Sequence, residues 1–149
     1  MLGAIKKLFE QQMLGEAQND VEHQLKLATA ALLIEMMRQD DHLHEDEERA
    51  LKASLKEKFG LNDAETDELI QLAHQEAKDA TDYYQFTRLI NDNYTPEQKI
   101  KVVEYLWVIA YADGELDRYE EHMVRRISEL IYVSHKDFMQ AKHRVVDSL

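Results

Sequence analysis

Two short acidic strings hold most of the residues that could do chemistry. Residues 40–48 read DDHLHEDEE and residues 113–121 read DGELDRYEE, each just after a long apolar run. Carboxylates at this density offer hard oxygen donors for a divalent cation, and Asp113, Glu115 and Asp117 alternate as donors do in calcium loops. The second string is nevertheless no EF-hand. Gly114 stands second rather than sixth, and the twelfth position from Asp113 is Val124, which cannot close a site as a bidentate ligand. His42 and His44 in the first string add nitrogen donors suited to a transition metal.

Helix physics explains part of each string without any ligand. Gly114 can take the left-handed conformation that ends a helix, and Asp117 with Glu120 has the spacing of a capping box. The macrodipole favours acids in a first helical turn, which covers Glu45 to Glu48 and Glu120 to Glu121. Asp40 and Asp113 are different, because each falls at the C-terminal end of an apolar helix, where the dipole disfavours negative charge by about 0.3–1 kcal/mol. A bound cation would offset that cost. A solvated, capped turn is the competing reading, and the residues alone leave both open.

The elements that must position these turns read as helices throughout. One Pro and four Gly leave few sites for tight β-turns, and Leu, Ala, Glu, Gln, Lys and Met dominate. A first amphipathic helix is expected over residues 3–15, with Leu2, Ile5, Leu8 and Phe9 at helical spacing. Residues 21–37 carry LKLATAALLIEMM, apolar almost all round, as a helix surrounded by others must be. A helix over 46–59 is expected to bury Ala50, Leu51 and Leu55 and to stop at Gly60. Asn62 with Glu65 opens the next, to about residue 78, and Thr81 caps one in which Tyr83, Phe86, Leu89 and Ile90 share a face. Thr95-Pro96 starts a second central helix with Ile100, Val103, Leu106, Trp107 and Ala110 on one side and Val102 and Ile109 beside them. Helices over 118–132 and from a Ser134 cap to Val145 complete the chain.

The two central helices and their turns align without a gap at an offset of 73 residues. That offset pairs Asp40 with Asp113, Leu33 with Leu106, Leu43 with Leu116, Glu47 with Glu120, Glu48 with Glu121, Leu51 with Val124 and Phe59 with Tyr132. A duplicated helix, acidic turn and helix is the simplest explanation. The expected fold is therefore all-α: one bundle of about seven helices, with two pseudo-symmetric repeats around two central apolar helices. The repeats span about 25–59 and 96–132, linking helices occupy 62–93, and a last helix covers 134–146.

Composition bounds the functional classes. A formal net charge of −12 repels nucleic acid and anionic lipid, so cations and basic protein partners are the natural counterparts. The absence of Cys excludes disulfides, thiolate metal sites and a cysteine nucleophile. The first residues lack the apolar run and cleavage site of a signal peptide, and no stretch is apolar enough to span a bilayer, so a cytoplasmic location is expected. Residues 1–15, with Lys6 and Lys7, either dock on the domain or touch a membrane surface.

The strings IEMMRQDDHLHEDEE and AYADGELDRYEE, with FGLNDAETDELIQLA and YTPEQKIKVVEYLWVIA between and before them, resemble the tellurite-resistance TerB-like family. The resemblance covers Leu25 to Arg144 and sets the N-terminal segment 1–19 apart from an all-helical domain over 20–149. It implies duplicated halves, no enzymatic activity and an association with tellurite-type stress through protein partners. It also implies a divalent cation, calcium, magnesium or zinc, held by acids of both turns. Carried onto this chain, those acids are Asp40, Glu47, Asp113 and Glu120, with Asp41, His44, Glu115 and Asp117 as weaker candidates. The chain departs from the family at Asp41, where Gly is usual, and at His42 and His44.

Other residues read as structural. His23, His74, His122, His135 and His143 are expected at the surface, and Trp107 with the tyrosines in the core. Glu35 and Glu104 interrupt the central helices and are expected at helix edges or in a polar pocket. Two rival functions stand beside the cation-binding module. One is a purely structural protein-interaction module, homo-oligomeric or not. The other is a metal-dependent hydrolase using His42 and His44, which needs a deep cleft with His44 facing Asp113 or Glu120.

Overall fold

A computed structural model describes residues 7–13, 21–79, 85–112, 116 and 118–149. They form a π-helical segment, Phe9–Met13, and seven α-helices: α1 Val21–Gln39, α2 Glu45–Phe59, α3 Asp63–Asp79, α4 Gln85–Asn93, α5 Pro96–Ala110, α6 Arg118–Leu130 and α7 His135–Asp147. No strand occurs among the described residues.

The apolar runs occupy the positions their patterning demands. Every residue of α1 from Gln24 to Met37 is buried except Lys26, because the π-helical segment, α2, α3, α4, α5 and α6 all pack on it. Helix α5 is the second central element, lying against α1, α2, α6 and α7 and burying Trp107 completely. Thr29, enclosed on α1, satisfies its hydroxyl by donating to the Leu25 carbonyl at 2.7 Å.

Local rules set the helix ends. Asn62 and Glu65 exchange side-chain to backbone hydrogen bonds at 2.8 and 3.0 Å, a complete capping box, and Thr95 forms another with Gln98. Ser134 accepts from the Asp137 amide, and Gly60 ends α2 at φ +69°. Leu8 and Phe9 are buried, Phe9 against Tyr94, so this part of the N-terminal segment docks on the domain. Leu2, Ile5, Thr81, Tyr83 and Tyr84 lie outside the described residues.

Three expectations are corrected or narrowed. Ala50 is exposed rather than buried, for a reason given below. Helix α6 stops at Leu130 because Tyr132 takes a left-handed conformation, φ +62°, and the Val133 amide donates back to the Ser128 carbonyl. Tyr132 is consequently 80% exposed while its aligned counterpart Phe59 is buried. Glu35 is also buried, not at an edge but in the polar pocket that was the other expectation for it. Its carboxylate accepts from the Phe86 and Thr87 amides at 3.1 and 3.3 Å and from the Thr87 hydroxyl at 3.0 Å. Those amides belong to the first turn of α4, which has no intrahelical acceptor for them, so α1 caps α4 across the core. Burial pushes the Glu35 carboxyl above the usual carboxylate range, and the bonds from Phe86 and Thr87 oppose that shift. Glu104 does sit at an edge, paired with Arg144 at 3.0 Å.

Candidate functional site

The first acidic turn is built by a helix stop. After α1 ends at Gln39, the Asp41 amide donates to the Arg38 carbonyl and the His42 amide to the Met37 carbonyl, the bond pattern of a Schellman motif. Asp41 occupies its left-handed position at φ +53°, a conformation that costs a side chain more than it would cost Gly. Leu43 is buried and anchors the turn, while Leu116 packs on the core from the second. Helix α2 then begins with Glu45, Asp46, Glu47 and Glu48 in its first turn.

The turn's side chains scatter in distinct directions. Asp40 accepts from the Arg126 guanidinium on α6 at 2.7 Å, and the pair is half-buried. The Tyr119 hydroxyl is turned toward the same carboxylate; burial, then the Asp40 charge, raises this phenol above its usual range, so it stays neutral. Tyr119 also stacks on His42 with ring centroids 3.8 Å apart. Asp41 and His44 point outward, 3.7 Å from each other, and Glu48 is bonded to His74 on α3. Arg126 therefore supplies the positive charge that the end of α1 requires beside Asp40.

Between α2 and α6, above the floor made by α1 and α5, lies a cleft of about 430 Å³. Glu47 and Glu120 both line it, together with His42, Tyr119 and Glu57. With that pair included, five of the pairs related by the 73-residue offset line it: Leu33 and Leu106, Met37 and Ala110, Glu47 and Glu120, Ala50 and Met123, Leu51 and Val124. This accounts for the exposure of Ala50, which faces the cleft.

Of the residues expected to hold a cation, Glu47 and Glu120 thus line one cleft, and Asp40 is engaged by Arg126. Asp113, Glu115 and Asp117 lie outside the described residues, as do Gly114 and the capping box of Asp117. Among the described residues no three His, Asp or Glu side chains converge as a metal-binding group. Among the described residues His44 is exposed and is not part of the cleft lining, whereas His42 is, and Asp113, the other residue His44 is expected to face in a hydrolase, lies outside them.

Sequence reasoning missed two contributors. Arg126 lies 86 residues from Asp40 and carries no local signal of the pairing. Tyr119, expected in the core with the other tyrosines, joins Asp40 to His42 at the cleft. The five other histidines are exposed or half-buried, as expected. No helix among the described residues is long and apolar enough to cross a membrane. A family model described as Tellurite resistance protein TerB matches residues 26–143, most of the chain. No curated protein and no solved structure matches it.

Proposed function

This chain belongs to the tellurite resistance protein TerB family, and from that premise we propose that it is a binding module rather than an enzyme. It takes a divalent cation (calcium, magnesium or zinc) at the mouth of the α2–α6 cleft and acts through protein partners in a cytoplasmic, tellurite-type stress response. One observation carries the reading: Glu47 and Glu120, equivalent under the repeat offset, line a single cleft although 73 residues separate them. Two carboxylates are too few for an oxygen-ligated ion, which takes about six to eight donors as Ca²⁺, so we take Asp113, from the sequence pattern, and water as further donors of the set. Asp40 joins it only by exchanging Arg126 for the ion.

Isothermal titration calorimetry with each ion tests this. Heat with the wild-type chain and none with the Glu47→Gln/Glu120→Gln pair is expected; no heat for any ion, with no rise in melting temperature, overturns the cation reading. A second reading is favoured by the Asp40–Arg126 pair, which neutralises the α1 terminus without an ion. In that case the module is purely structural and binds partners in EDTA as well as in any metal salt.

A further inference from the structure

Apolar side chains outnumber polar ones around the cleft, so two carboxylates and an ion do not account for its whole lining. Its lining along α2 runs from Glu47 to Glu57, about 15 Å of helix at 1.5 Å per residue. Leu33, Leu106 and Val124 close the floor and opposite wall as buried side chains, and the equally buried Met37 and Met123 can repack around an inserted anchor. Ala50 and Ala53 are exposed on the α2 wall, so another backbone can approach it closely. The acids Glu47 and Glu57 stand at the two ends of that wall, in a chain of net charge −12.

We propose that this cleft is the docking site for a basic amphipathic helix of a partner protein. Such a helix lays apolar anchors spaced at i, i+4 and i+7 onto the floor and sets Lys or Arg beside Glu47 and Glu57. An apolar-lined cleft about 15 Å long on its α2 side, with an acid at each end of that side, matches that occupant in length and in charge, and the long-range field of the chain accelerates its approach. The inference rests on the partner half of the proposed function, and because Glu47 would serve both the cation and the helix, it is tested without the cation.

Fluorescence anisotropy of a labelled Leu/Lys amphipathic peptide against the full chain tests it, in EDTA so that a failed cation site leaves the result unaffected. Saturable binding is expected, with a scrambled peptide of the same composition at least about tenfold weaker. Ala53→Trp fills the cleft from an exposed position and is expected to weaken binding at least about tenfold with unchanged helicity by circular dichroism. Glu57→Lys, on the exposed rim, provides a check that does not depend on packing and is expected to weaken binding about fivefold at low salt. Equal binding of the scrambled peptide, or no effect of either substitution, overturns the proposal in favour of diffuse charge attraction. Saturable binding of hexylammonium with none of the peptide overturns it in favour of a small organic cation.

Discussion

Removing the Glu35 carboxylate isolates the least expected contact in the fold. Glu35→Ala leaves the Phe86 and Thr87 amides and the Thr87 hydroxyl without their acceptor inside the core. Each unsatisfied buried donor costs about 1–3 kcal/mol, but the substitution also removes a carboxylate whose burial is itself unfavourable, so a net loss of about 2–4 kcal/mol is expected. For a chain of this length that lowers the melting temperature by roughly 6–12 °C. Glu35→Gln retains one acceptor oxygen but turns an amino group toward a donor, and is expected to lose about 1–2 kcal/mol. The pH dependence carries a further signature. Because the folded-state pKa is raised above the unfolded value near 4.5, the folded state binds the proton more tightly. Its stability relative to Glu35→Gln therefore grows as pH falls through the window that opens above 4.5, and is lost as pH rises through the folded pKa. Urea denaturation between pH 4 and 8, with hydrogen exchange at Phe86 and Thr87, measures both. Wild-type stability in Glu35→Ala with unchanged exchange at α4 would refute the capping role.

Two further substitutions probe the first acidic turn. Asp41→Gly relieves the left-handed strain at φ +53° and is expected to stabilise the chain by about 0.5–1 kcal/mol in thermal denaturation, whereas a loss would mean that the Asp41 side chain contributes more than its outward, exposed position implies. Arg126→Gln strips Asp40 of its counter-ion and is expected to cost about 1–2 kcal/mol, discounted for partial exposure, while strengthening any divalent-cation binding in which Asp40 takes part. Chemical denaturation and ion titration of the same variant separate these effects.

Much of the fold was legible because helical bundles obey local rules. The all-round apolar patterns of residues 21–37 and 96–110 report central helices directly, and Asn62, Thr95 and Ser134 announce their helix starts through short-range spacing. The sequence leaves Glu35 between an edge and a polar pocket because periodicity describes the faces of its own helix and says nothing of an amide 51 residues away that lacks an acceptor. The same holds for Arg126 and Asp40. Alignment of Phe59 with Tyr132 matched residue type but not environment, since the left-handed stop falls at Gly60 in one case and at Tyr132 in the other. Of the candidate site, Glu47 and Glu120 could be named together from the repeat. Ala50, His42 and Tyr119 could not be assigned to a common cleft, because only packing shows that α2 and α6 face one another across α1 and α5.

The most direct test of the shared site is titration with Mn²⁺ followed by amide resonances, since a bound paramagnetic ion broadens only nearby nuclei. Simultaneous broadening around Glu47 and around Glu120 is expected at substoichiometric Mn²⁺, abolished in Glu47→Gln/Glu120→Gln. Broadening at one of the two positions alone, or spread over the acidic surface and unchanged in the double variant, would contradict it.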